Sequence, residues 1–183
     1  NNSGKSSLLD MIYGLNHNFS GTIEFFDLLV LKQENFQEIR KKIGYISSSI
    51  QLISNKTLRA NLSLALTAIN SKQNLEDDEI QELLFTCKMK EKILENVDNF
   101  SASEIVFAKL VRALICKPKL LLLDCPFRVL DSASEQLFLT VLRKFWELER
   151  PTIILCTDHL SKLAPENRTI YAIDQQELKR HLF

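Results

Sequence analysis

Apolar residues return at helical spacing directly behind a short polar start. Leu8, Leu9, Met11, Ile12 and Leu15 follow Gly4-Lys5-Ser6, and Gly14 supplies a stop, so a loop opens straight into a helix. Ser20-Gly21 turns the chain. Residues 22–26 then read as a strand, 35–42 as a short charged helix and 43–46 as a second strand between polar residues. Residues 57–89 keep a helical pattern interrupted by polar positions 70–74, with no convincing strand, which predicts a helical insertion.

The second half alternates. A helix is expected over 102–116, a strand over 119–124, a helix over 132–148 and strands over 152–156 and 169–174, with a closing helix over 175–183. Leu120 to Leu123 and Ile153 to Leu155 are unbroken apolar runs, as strands covered on both faces require. The pattern predicts an α/β fold, a mostly parallel sheet flanked by helices, in one domain spanning 1–183.

Composition narrows the class. Lys plus Arg and Asp plus Glu both number 23, so no basic footprint points to nucleic acid or an anionic membrane surface, and any bound anion must be held locally. The four cysteines lack close pairing, which suits reduced, mostly buried thiols and a cytosolic setting better than a disulfide frame or a zinc site. No run reaches the roughly 18–20 apolar residues that span a bilayer, and no signal peptide precedes the first helix. The chain starts at Asn1 without an initiator Met, so a fragment is expected.

Gly4-Lys5-Ser6 matches the end of a phosphate-binding loop whose opening glycine would lie two places before Asn1. In such a loop the backbone amides at the helix start cradle phosphates, Lys5 reaches the outer phosphates and the Ser6 hydroxyl ligates Mg²⁺. A chance Gly-Lys-Ser at a helix start is the alternative. The apolar strand Leu120 to Leu123 ends in Asp124, which is how a P-loop ATPase sets a carboxylate beside the metal; a buried strand with a terminal acid is the plain reading.

Arg112-Ala113-Leu114, Lys117-Pro118-Lys119, Asp124, Pro126 and Leu130-Asp131 resemble, in order and spacing, the run of an ABC-type ATPase from signature helix through Walker B strand to D-loop. Arg40 to Ile46 resembles that family's approach to its Q-loop, Thr57 to Asn61 the entry to its helical subdomain, and 168–174 its late strand, details that favour exporter-type members. The resemblance covers nearly the whole chain. It implies a P-loop NTPase-type sheet with a helical subdomain at about 57–116, and a nucleotide site of Asn2, Ser3, Gly4, Lys5, Ser6 and Ser7. It also implies a metal held by Ser6 and Asp124, with Ser48 as a weaker addition.

Several positions depart from the family pattern. Cys125 holds the place of the glutamate that orients or deprotonates the attacking water, and a neutral thiol lacking paired oxygens cannot do that work. Hydrolysis is therefore expected to be severely slowed. Ser48 aligns with the Q-loop glutamine and is too short for its reach, with Gln51 three residues on; the serines could simply form a polar loop. The signature aligns with Phe100 to Glu104, where Ser101 survives but Ala102 and Ser103 replace glycines. There Ser101 and Glu104 have the spacing of a capping box, while Glu104 would bring negative charge to a phosphate-docking surface. Thr157 is followed by Asp158 and then His159, so His159 serves as the switch histidine only if the strand end slips by one residue; a surface histidine is the alternative. Asp131 matches the D-loop aspartate and equally suits an N-cap for the helix after it.

The resemblance implies ATP and Mg²⁺ as ligands, a second nucleotide-binding domain in a homo- or heterodimer, the transmembrane domain of a transporter, no nucleic acid, and a place on the cytoplasmic face of the membrane. Two functions follow: an ATP-binding domain coupling ATP to transport with impaired hydrolysis, or a non-hydrolysing interaction or regulatory module that keeps the fold.

Overall fold

Three strands rich in β-branched and leucine residues line up in parallel at the centre of the chain. The computed structural model describes residues 4–25, 28–30, 33–157, 170–174 and 177–181. Its elements are α1 (Lys5–Tyr13), β1 (Ile23–Phe25), β2 (Leu28–Val30), α2 (Gln33–Arg40), β3 (Ile43–Ile46), α3 (Leu58–Ala68), α4 (Asp78–Thr86), α5 (Ala102–Leu114), β4 (Leu120–Asp124), α6 (Ser132–Glu149), β5 (Thr152–Cys156), β6 (Ile170–Asp174) and β7 (Glu177–His181). Sheet order is β3-β4-β5, with Ile46 opposite Leu123 and Asp124 opposite Cys156.

Because strand side chains alternate between faces, this register sorts the core into two clusters. Leu9 of α1 and Phe36 and Ile39 of α2 bury against Ile43, Tyr45, Leu120 and Leu122, with Ile154 and Cys156 packed alongside. Ile46, Leu121 and Leu123 face the other way into Leu110, Val111 and Leu114 of α5, Phe138 and Val141 of α6, and residues of α3 and α4. α1 and α5 therefore cover opposite faces of one sheet. Gly44 marks a close approach on the α5 side: a Cβ there would stand 2.9 Å from Leu121 and 3.2 Å from Ala113.

The helical stretch between β3 and α5 starts where its cap predicts. The Thr57 hydroxyl accepts from the Ala60 N–H at 3.2 Å, and the polar break extends from the end of α3 to the start of α4. One expectation needs correction, and one element was not expected. Residues 177–181, expected within a closing helix, form β7, paired antiparallel with β6 from Asp174 opposite Glu177 to Ile170 opposite His181. Glu, Leu, Lys and Arg favour a helix locally, but so short a segment makes a marginal helix alone, and pairing with an apolar strand overrides propensity. β2, a three-residue strand antiparallel to β1, escaped the sequence pattern because three residues carry no readable period.

Candidate nucleotide site

The first turn of any α-helix leaves backbone N–H groups without intrahelical acceptors, and most helices cover them with a side-chain cap. α1 does not: its N-cap is Gly4, left-handed at φ 84°, with no side-chain cap. A Cβ at Gly4 would meet nothing within 4 Å among the described residues, and the backbone conformation is one glycine adopts at little cost. Ser6 and Ser7 are exposed and Lys5 half-buried on this turn. A helix start without a side-chain cap attracts anions through its amides and its dipole.

α1 packs on β4, and Leu9 shares its cluster with Leu120 and Leu122. Counting two further along β4 puts Asp124 on the α1 side, at the carboxyl end of the strand. Its Oδ1 is buried with no hydrogen-bond partner among the described residues. A buried carboxylate oxygen without a donor is costly unless a cation meets it, and this one suits a hard divalent ion with oxygen ligands. The chemistry of Asp124 Oδ1 therefore fits an oxygen ligand to Mg²⁺.

Hydrogen bonds between residues far apart in the chain join β3 and the loop after it to α1. Tyr45 Oη donates to Asp10 Oδ1 at 2.8 Å, and Ser49 Oγ donates to Asp10 Oδ2 at 3.3 Å. The first ties β3, and the second the loop after it, to α1. Burial and the Asp10 hydrogen bond push the Tyr45 hydroxyl well above its usual pKa, so it stays a neutral donor. Ser47 is buried, and its Oγ accepts from the N–H groups of Ser49 and Ile50, each at 3.1 Å. The polar-loop reading of the serines thus has a defined geometry, with Ser48 exposed at its tip. The available signal was Asp10, a single acid among the apolar positions of α1.

Cys125 follows Asp124 in the left-handed region at φ 48° and donates its N–H to the Cys156 carbonyl at 2.9 Å. A non-glycine residue held there is strained, and such strain gathers at functional sites. Cys156 lies opposite Asp124 on β5, on the α1 face.

Ser101 and Asp131 stand apart from this assembly, on helices of the opposite face. Ser101 caps α5 in a complete capping box: its Oγ accepts from the Glu104 N–H at 3.3 Å, and Glu104 Oε2 accepts from the Ser101 N–H at 2.8 Å. Glu104 Oε1 also meets Lys92 Nζ at 3.0 Å, so its charge is paired. The Ser101 N–H first, and Lys92 second, hold its carboxyl below the usual range. Asp131 caps α6, accepting from the Ser134 N–H at 2.7 Å, which lowers its pKa likewise. Asn2, Ser3, Asp158 and His159 lie outside the described residues.

A family model described as ABC transporter matches residues 1–128. The chain belongs to the ABC transporter family. It is 28% identical over 179 residues to the methionine import ATP-binding protein MetN of Clostridium acetobutylicum, covering 97% of this chain and 56% of that protein. It is 27% identical over 175 residues to the ergothioneine transport ATP-binding protein EgtV of Helicobacter pylori, 93% and 81% covered. It is 32% identical over 181 residues to the macrolide export ATP-binding/permease protein MacB of Campylobacter jejuni, 96% and 28% covered. Import and export proteins both stand among these ABC relatives, and the chain spans about half the length of several of them. The dimeric bacterial ABC transporter cassette MJ0796 shares the fold, with a TM-score of 0.74 at 24% identity over 86% of this chain and 71% of that one. Among the described residues no helix is long and apolar enough to cross a membrane.

Proposed function

We propose that the chain is the ATP-binding domain of an ABC transporter, holding Mg-ATP at the start of α1 and hydrolysing it slowly. One observation carries the reading. The N-terminus of α1, which has no side-chain cap, sits on the same sheet face as Asp124, whose Oδ1 is buried without a donor among the described residues, so anion and cation determinants share one side of the sheet. The names of the relatives, ATP-binding proteins of importers and exporters, support it.

In this reading the amides of Gly4 to Ser7, with Asn2 and Ser3 before them, wrap the phosphates, and Lys5 meets the outer ones. Ser6 and Asp124, with Ser48 as a weaker candidate, hold Mg²⁺, which neutralises phosphate charge when bound. Tyr45, Ser49 and Asp10 keep β3 and the loop after it against α1. Cys125 stands where a water-activating carboxylate belongs, and a thiol lacks the paired oxygens that hold a water in line and take its proton. We take residues 57–116 as the helical subdomain. The domain pairs with a second nucleotide-binding domain and docks on a transmembrane domain at the cytoplasmic face.

A second reading, an interaction module that keeps the fold without turnover, is favoured by α5: the capping box uses the free N–H groups of its N-terminus, and Lys92 neutralises Glu104. Equilibrium binding of radiolabelled ATP with Mg²⁺, followed by single-turnover chemistry on the same complex, separates them. Saturable binding with slow product formation supports the first reading. Turnover at an ordinary family rate refutes the impaired-hydrolysis reading, and absence of binding leaves the second.

A further inference from the structure

Lysine is costly to bury, and Lys109 in the middle of α5 is only 6% exposed. Burial foremost, and the Arg112 charge one turn on, depress its pKa below the ordinary lysine value. An apolar side chain would fill the same space without that penalty, so the ammonium has a task beyond packing. Its Nζ donates to the Ser47 carbonyl at 2.9 Å, and Arg112 Nη1 donates to the Gln51 carbonyl at 2.7 Å. Two cations a helical turn apart on α5 thus grip the first and last residues of loop 47–51. From the other side the loop is tied to α1 through Ser49 and Asp10, and its interior is closed by Ser47 Oγ accepting from the Ser49 and Ile50 amides. The loop is suspended between a helix on one face of the sheet and the helix bearing Gly4 to Ser7 on the other.

We propose that Lys109 and Arg112 are positioning residues that hold loop 47–51 in the form that completes the nucleotide site, so that the loop is ordered before ligand arrives. The inference rests on the nucleotide-binding reading above. Ser48 is exposed and short, so it supplies little anchorage from the loop's tip; the order comes from α5 behind it. A loop fixed in advance spares the binding step its ordering entropy, and releasing either end returns that cost to the ligand.

Lys109→Met tests this, because it keeps the length and apolar stem while deleting charge and donor. The melting temperature of the ligand-free chain moves by only a few degrees, since the loss of a buried charge offsets the Ser47 carbonyl left without its donor. Amide exchange at Ser49 and Ile50 accelerates about tenfold, and Mg-ATP affinity by calorimetry falls about tenfold. Arg112→Met has the same effect from the other end, and Lys109→Arg, which keeps a donor, retains most of the affinity. If Lys109 serves packing alone, Lys109→Met, which fills the same space, leaves exchange at the Ser49 and Ile50 amides and the Mg-ATP affinity unchanged. Should the unaltered chain bind Mg-ATP and both Met variants bind it equally well, the proposal is overturned. Should the unaltered chain not bind it, the nucleotide reading fails and the exchange experiment decides: unchanged protection of Ser49 and Ile50 overturns the loop-holding role as well.

Discussion

Replacing Asp124 by Asn separates stability from binding at one atom. Asp124 Oδ1 is buried with no hydrogen-bond partner among the described residues, and leaving a buried acceptor unsatisfied costs about 1–3 kcal/mol. The residue as a whole is half-buried, and an amide brings a donor that must itself be satisfied, so the relief on substitution sits at the low end, about 1 kcal/mol. For a chain of 183 residues that raises the melting temperature by roughly 2–4 °C. Mg-ATP at a hundred times its dissociation constant stabilises the unaltered chain by about 2.7 kcal/mol, or roughly 5–11 °C on the same scale. Asp124→Asn removes the carboxylate that meets the cation, so the Mg-ATP shift falls to a small fraction of that value. Thermal melts by circular dichroism, with and without Mg-ATP and with ATP in excess chelator, read all of these quantities. A variant that melts lower than the unaltered chain without ligand, or that keeps the full Mg-ATP shift, refutes the assignment of Asp124 as a waiting cation ligand.

Gly14→Ala, at the left-handed end of α1 (φ 78°) where a Cβ would stand 2.3 Å from the Phe36 ring, destabilises the fold by about 2–4 kcal/mol, combining backbone strain with overpacking; urea midpoints measure it, and Gly4→Ala, with nothing within 4 Å among the described residues, shows the backbone part alone. Glu104 has a folded-state pKa below its ordinary value, so its contribution is complete above that value and is lost as pH falls through the lowered one. Glu104→Gln therefore flattens the acid limb of stability from the ordinary glutamate range downward and leaves pH 7 to 9 unchanged in shape, a profile that denaturation at several pH values tests. Burial pushes the Cys87 thiol up to about 12 and Cys116 up to about 11, so neither reacts with iodoacetamide in the native protein at pH 8; peptide mapping that finds Cys87 alkylated before unfolding contradicts the packing described for α4.

Local physics was legible in the sequence, and distant pairing was not. The apolar runs at 120–123 and 153–155 announced β4 and β5 because a strand covered on both faces has no other composition available. The capping box at Ser101 and Glu104 and the N-cap at Asp131 were readable because their partners lie three residues away. β7 was misread for the opposite reason: its state depends on β6, and its own residues prefer a helix. The hydrogen bonds that join β3 and the loop after it to α1 and α5 were hidden likewise. Tyr45 reaches Asp10 across 35 residues, Lys109 reaches Ser47 across 62 and Arg112 reaches Gln51 across 61. No spacing rule connects positions so far apart; only the parallel register brings them together. Gly4, Lys5, Ser6 and Asp124 could be proposed from the sequence because a phosphate loop and an acid-terminated strand are each contiguous in the chain.

The claim that a triphosphate is held at the start of α1 is tested most directly by calorimetric titration of Mg-ATP into the unaltered chain and into Lys5→Ala. Saturable one-site binding in the first, weakened by tenfold or more in the second while both chains melt within a few degrees of each other, is the predicted result. Equal affinity in the two chains would place the nucleotide elsewhere or nowhere, and the account would fall with it.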